Sequence, residues 1–196
     1  QRLTNGLIDN AAFLLLAILF SSGVSRCYAE TMSPSAEHVS AAWQPIGLSG
    51  GGGMFSPAIS PADPDLMMLN CDMSAAYISE DGGHNWRMIH HGQLRSDTRC
   101  RPAFHPTDTN VIYASSRGKL RVSCDRGKTF SPIGDLQEPL AGEIAIHPAW
   151  PELMLVGTRD GRCQRSSDGG RHWRRCPGPT GQVLGFHFDQ SRDVGV

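Results

Sequence analysis

The chain has 196 residues, 39% of them apolar and 19% charged, and a formal net charge of −1. Nothing in that balance is basic enough for phosphate-backbone binding, so nucleic acid is not an expected partner. No polyacidic or polybasic run is present, and 3.6-residue apolar periodicity is missing, which argues against helical repeats.

In chain order, residues 11–20, AAFLLLAILF, form an apolar core followed by small and polar residues up to Ala29. The run has the length of a signal-peptide hydrophobic region and is too short for a stable membrane span. Residues 1–29 are therefore expected to be a signal peptide, 30–42 a linker, and the mature protein secreted or periplasmic. Removal of 1–29 leaves Cys71, Cys100, Cys124, Cys163 and Cys176, and export permits disulfides.

From residue 54 onward the chain repeats. SEDGGHNW at 79–86 returns as SCDRGKTF at 123–130 and SSDGGRHW at 166–173, at spacings of 44 and 43 residues. The frame is Ser-x-Asp-x-Gly-x-x-aromatic. It is carried by Ser79, Asp81, Gly83 and Trp86, by Ser123, Asp125, Gly127 and Phe130, and by Ser166, Asp168, Gly170 and Trp173. The second copy departs from the others, with Arg126 for the first Gly and Phe130 for Trp. Upstream of each copy lies a matching stretch: AISPADPDLMML at 58–69, AFHPTDTNVIYA at 103–114 and AIHPAWPELMLV at 145–156. Each unit thus predicts four short strands: an apolar strand, a Pro-containing turn, a β-rich strand, a polar loop, a third strand, the Asp turn and a strand opened by the aromatic. Units of about 40 residues with four strands are propeller blades.

The expected fold is all-β, a β-propeller of four-stranded antiparallel blades at about 54–90, 98–134 and 141–176. QVLGFHFDQ at 182–190 reads as the start of a next blade. WQPIG at 43–47 copies FSPIG at 130–134 and so reads as a closing outer strand. Three blades are fewer than the four to eight of a closed ring. The chain is thus expected to be the N-terminal part, 43–196, of a larger propeller.

The repeated Asp turn resembles the Asp-box, or bacterial neuraminidase repeat, of sialidases, sortilin-type receptors, xyloglucanases and photosystem assembly factors. In such turns Ser and Asp side chains bond nearby amides, so the three Asp residues are read as structural. Asp81 with His84, or Asp168 with His172, offers too few ligands for a closed metal site, and no metal or cofactor is expected. Cys163 and Cys176 stand three residues either side of the third motif. They should face each other across a hairpin, as a disulfide or as two unpaired small hydrophobes.

In a blade the Asp turns and the first turns share one face. The second turns and the crossings between blades lie on the other, where ligand contacts are expected. Candidate groups there are Asp72, His91, Arg95, Asp97, Arg117 and Asp160, with Arg99, Arg101 and Glu143 nearer the channel. Such a mixed polar rim suits a glycan, with a peptide or protein as the other possibility.

Residues 50–78, GGGGMFSPAISPADPDLMMLNCDMSAAYI, further resemble the start of xyloglucanase-type glycoside hydrolases. Gly50–Gly53, Asp72, Ala76 and Tyr77 match that pattern, while Ser74, Ala75 and Ile78 depart from it. The resemblance implies that Asp72 is one of two catalytic carboxylates, the other coming from a second propeller. It also implies a glycoside hydrolase acting on polysaccharide. The alternative is a non-catalytic binding or assembly propeller. A phosphate loop is excluded, since no Gly-Lys-Ser/Thr follows the Gly run. A sialidase is disfavoured because Phe55 is followed by Ser-Pro-Ala.

Overall fold

The computed structural model describes residues 52–188 except 96 and 179. The expected signal peptide, linker and closing strand at 43–47, and positions 189–190 of the expected next blade, lie outside the described residues.

Twelve strands form three sheets, each antiparallel and ordered as in the sequence. The first blade is β1 (Met54–Ile59), β2 (Met67–Cys71), β3 (Ala76–Ser79) and β4 (Arg87–Met88). The second is β5 (Ala103–Phe104), β6 (Ile112–Ser116), β7 (Lys119–Ser123) and β8 (Ser131–Pro132). The third is β9 (Leu140–Ile146), β10 (Met154–Thr158), β11 (Cys163–Ser166) and β12 (Arg174–Arg175). This is the all-β blade architecture expected from the repeat. Among the described residues no helix is long and apolar enough to cross a membrane.

The second strand of each blade is the most deeply buried. All five residues of β6, IYASS, are buried. A strand covered on both faces needs small or apolar side chains throughout, and the spaces between blades supply both covers. Ala58, Met68, Ile78, Phe104, Ile112 and Phe130 pack between the first and second blades. Tyr113, Leu120, Leu140, Ile144, Met154 and Val156 fill the next space. Burying a side chain such as Ile112 contributes about 1.5–3 kcal/mol before conformational entropy is counted. The core is therefore between sheets, and one blade alone would have little of it.

The inner strands also touch directly. Cys100 and Gly142 form a parallel bridge. There the Gly142 N–H donates to Arg99 O at 2.6 Å and the Arg101 N–H to Gly142 O at 3.1 Å.

The three Ser-x-Asp turns share one construction. The amides of Gly83, Gly127 and Gly170 donate to Ser79, Ser123 and Ser166 Oγ at 2.8, 2.8 and 2.9 Å. Those hydroxyls in turn donate to Asp81, Asp125 and Asp168 Oδ1 at 2.9, 2.7 and 2.8 Å. The same Oδ1 atoms accept from the amides of Asn85, Thr129 and His172 at 2.8, 2.8 and 2.9 Å. Each turn is also tied to the first turn of its own blade, through Gly82 N–H to Asp65 O, Arg126 N–H to Asn110 O and Gly169 N–H to Glu152 O. Arg126 keeps the left-handed conformation of the glycines it replaces, with φ of 62°. Its guanidinium bonds Asp63 and lies 3.5 Å from Glu80, both in the first blade.

These bonds lower the carboxyls. Hydrogen bonds from the Asn85 amide and side chain bring Asp81 down to about 2. At Asp125 desolvation pushes upward, but the Thr129 and Ser123 donors outweigh it and hold the group at about 2. Asp168 is also lowered, chiefly by the His172 amide and ring.

Residues 182–188 run beside β9 without joining it as a strand. The Gly181 amide donates to Gly161 O at 2.8 Å, and the Phe186 amide to Glu143 Oε2 at 2.8 Å. In the three blades an inner strand pairs with the second strand of its own blade, and no such partner for 182–188 is among the described residues.

Gly127 has φ of 77°, and a Cβ there would run into Ile78 Cδ1 across the blade boundary. Gly127→Ala is expected to destabilise the chain by about 1–3 kcal/mol, read as a lower urea midpoint. Gly181→Ala, with open space around it, should leave the midpoint within about 0.5 kcal/mol of the parent. Because the turn carboxyls are lowered on folding, their stabilisation is complete above the ordinary carboxyl range near pH 4. It should be lost as pH falls towards about 2. Thermal melts across that range in the parent and in Asp81→Asn should show a shallower acid loss in the variant.

Candidate functional site

The loops joining second to third strands lie at the blade ends opposite the Ser-x-Asp turns. Asp72 follows β2 directly and closes one of them. The Gly53 amide donates to Asp72 Oδ1 at 2.8 Å, and the Asp72 amide donates to Gly53 O at 3.2 Å. Gly52 has φ of 105°, and a Cβ there would stand 2.5 Å from Asp72 Oδ1. A glycine at 52 is therefore needed so that the backbone can approach this carboxylate.

Asp72, Ser74, Ala75, Met88, His91, Arg95 and Arg117 line a cleft of about 510 Å³ between the first two blades. Four of the sequence candidates, Asp72, His91, Arg95 and Arg117, thus come together. Tyr77 is half-buried behind them, its OH 3.1 Å from Ser74 Oγ. The Arg95 amide is fixed by Ser116 Oγ at 2.9 Å. Arg117 and Gly118 form the two-residue connection of β6 to β7 and both have positive φ, 54° and 79°. That is the backbone of a tight hairpin turn most often filled by Asn-Gly.

The other candidates are placed elsewhere. Asp97 is 6% exposed and is not part of an open rim. Its Oδ2 accepts from Ser115 Oγ at 2.7 Å and from the Gly118 amide at 2.8 Å, and its Oδ1 from the Arg99 amide at 3.2 Å. It anchors the crossing from the first blade to the hairpin of the second. Arg99 and Asp160 line a separate cleft of about 760 Å³ with Arg159 and residues 180–184. Asp160 is held there by Thr158 Oγ1 and lies within 4 Å of Arg162 and Arg175. Arg101 and Glu143 border a recess of about 370 Å³ by the inner strands. Arg101 Nε donates to Pro57 O at 2.9 Å.

Ser115 and Ser116, which position Asp97 and Arg95, fall in a candidate loop, 115–119, but were not singled out in the sequence. Two serines at a strand end carry no signal of which carboxylate or amide they meet.

The recurring His-Pro positions are turn elements. His105 Nδ1 accepts from the Thr107 and Asp108 amides at 3.3 and 3.0 Å. His147 Nδ1 accepts from the Ala149 and Trp150 amides at 3.1 Å each. Ser60 Oγ takes the same role in the first blade, accepting from the Ala62 amide. His172 Nδ1 lies 2.6 Å from Asp168 Oδ2, and that carboxylate raises the imidazole. Among the described residues no group of three or more His, Cys, Asp or Glu side chains is placed to hold a metal ion.

Cys163 and Cys176 face each other across β11 and the end of the hairpin, with Sγ atoms 3.1 Å apart as two thiols. The Cys176 amide donates to Cys163 O at 2.9 Å. Burial pushes the Cys163 thiol up, and the neighbouring Cys176 pushes the same way. Cys71 and Cys100 are both buried.

No family model matches the chain. It is 25% identical over 166 residues to a probable oligoxyloglucan-reducing end-specific xyloglucanase of Neosartorya fischeri, across 75% of this chain and 20% of that protein. An ancestral GH74 enzyme superposes with a TM-score of 0.54 at 20% identity, over 68% of this chain and 19% of that one. YCF48 from Cyanidioschyzon merolae superposes with a TM-score of 0.52 at 22% identity, over 71% of this chain and 42% of that one. The chain spans about a fifth of the length of the curated relatives it matches. The fold is that of β-propeller blades, and the sequence is distantly similar to the xyloglucanases.

The Cys163–Cys176 geometry yields a direct expectation. In a glutathione redox buffer the two thiols should form a disulfide, their electrons reducing glutathione disulfide to two glutathione thiols. Closing this 13-residue loop should stabilise the chain by about 3 kcal/mol. Intact mass lower by two hydrogens and a raised Tm, both absent in Cys163→Ser, are the readouts. Both cysteines remaining open to alkylation after oxidation would rule the bridge out.

Proposed function

We propose that the chain is part of a secreted carbohydrate-active Asp-box propeller, related to xyloglucanase-type glycoside hydrolases, with Asp72 as one of its catalytic carboxylates. The observation that carries the reading is the position of Asp72. It ends a second strand on the face free of Asp turns, in a cleft with His91 and Arg95, within the region similar to the xyloglucanases. One carboxylate oxygen is fixed by the Gly53 amide, which leaves Oδ2 to act on a glycosidic oxygen or on a water.

Glycoside hydrolysis needs a second carboxyl group, about 6.5–9.5 Å away in inverting enzymes and about 5–5.5 Å in retaining ones. The nearby acids already have other tasks. Asp97 is buried among donors, Asp160 sits with two arginines, and Glu143 accepts from Phe186. The partner carboxylate is therefore assigned to a part of the protein beyond the described residues. The hydrophobic segment at 11–20, also beyond them, supports export.

A second reading is a non-catalytic binding or assembly propeller. It is favoured by the loop-capping bond of Asp72, which is explained without catalysis.

Reducing-end release from a xylose-substituted β-glucan by the full-length protein separates the two. Asp72→Asn preserves the oxygen that Gly53 needs, so the melting temperature should hold. Turnover should fall by about 100-fold or more, the scale of losing an acid–base group. Undiminished turnover in that variant would remove Asp72 from the mechanism.

A further inference from the structure

The two guanidinium groups of the first cleft are unlike most others in the chain. Arg87 donates to Gly127 O, Arg126 bonds Asp63, Arg101 donates to Pro57 O, and Arg162 and Arg175 flank Asp160. Among the described residues the side chains of Arg95 and Arg117 have no acceptor, although both line the same cleft. Among the described residues the only carboxylate lining it is Asp72, and one of its oxygens is already taken by the Gly53 amide. Two cations therefore face one anion in a concave space, with His91 beside them.

Arg117 adds a second observation. A long side chain at φ of 54° sits in a conformation that disfavours most residues by about 1–2 kcal/mol. Asn would fit that turn with less strain. Strained backbone of this kind gathers at ligand sites, where the side chain's task outweighs its local cost.

We propose that this cleft is a subsite for an acidic sugar, a saccharide unit bearing a carboxylate, held between Arg95 and Arg117. The proposal rests on the carbohydrate reading above and adds a charge requirement to it. A guanidinium presents paired N–H donors whose spacing matches the two oxygens of a carboxylate. The oxygen of Asp72 not held by the Gly53 amide remains to meet a sugar hydroxyl. A volume of about 510 Å³ suits a short oligosaccharide rather than a single ion.

The test is calorimetric titration of the 196-residue chain with three probes. These are a uronate tetrasaccharide, the same oligosaccharide with its carboxyls reduced to alcohols, and a glutamate-rich peptide. The uronate should bind at least 10-fold more tightly than its reduced form, with the gap narrowing as salt rises. Arg117→Asn and Arg95→Gln should each weaken uronate binding about 10-fold, as loss of a charge-assisted bond does, and leave the reduced form unchanged. Arg117→Asn should melt at the parent temperature or above it, so its loss of binding is not unfolding. Equal affinity for acid and reduced forms would overturn the proposal and leave the carbohydrate reading standing. Failure of every sugar would overturn both. Peptide binding through these arginines without uronate binding would also overturn the proposal, in favour of a protein partner.

Discussion

The structure depends on one arrangement: a serine hydroxyl and an aspartate carboxylate that satisfy the backbone amides of a tight turn. In each blade the hydroxyl accepts from the Gly amide four residues on and donates its own O–H to the carboxylate. The carboxylate then holds the start of the outer strand through the residue before the aromatic. Outer strands of only two residues cannot define their own position by ladder bonds. The turn does it for them. It also places the aromatic, since Trp86 and Trp173 donate their ring N–H to the carbonyls of Gly83 and Gly170, and Phe130 is buried between blades.

This use of carboxylates divides the molecule. On the turn face, Asp81, Asp125 and Asp168 are committed to amides and hydroxyls and lie well below the usual carboxyl range. They are poor acids and poor bases near neutral pH, because their charge is already stabilised. On the opposite face the second turns are shorter and neither they nor the crossings carry such a motif, so some side chains there keep free atoms. Asp72 retains one uncommitted oxygen, and Arg95 and Arg117 retain their donors. The motif that identifies the fold and the groups available for chemistry are therefore at opposite ends of the same hairpins.

The sequence made the blade order and the turn face legible because both follow from local chemistry repeated at a fixed spacing. Ser and Asp bond amides within five residues, and no distant partner is needed. The Pro-containing turns were legible for the same reason, since Ser60, His105 and His147 each accept an amide proton from a residue two positions on. What was not legible depends on residues far apart in the chain. Asp97 has the composition of an exposed loop carboxylate, yet Ser115 and the Gly118 amide draw it inside. Arg126 in place of Gly would suggest a weakened turn. Instead its guanidinium bonds Asp63 across the blade boundary and offsets its strained φ. The segment at 182–188 has the pattern of an inner strand, and an inner strand here pairs with the second strand of its own blade, which for this segment is not among the described residues.

The close packing between blades has a consequence for the cleft. Leu94, fully buried with Ile89 in the first inter-blade core, stands beside Arg95, and Ser116 pins the Arg95 amide. Arg117 is held by a hairpin whose β6 strand is buried along its whole length, and Asp97 grips the Gly118 amide from below. The backbones that carry both cations are thus fixed by the core, and only the side chains remain to be ordered by a ligand. Pre-positioned donors cost less entropy on binding than donors on loose loops. A rigid scaffold with uncommitted ends is what this blade pair supplies, and its selectivity should lie in side-chain chemistry rather than in loop movement.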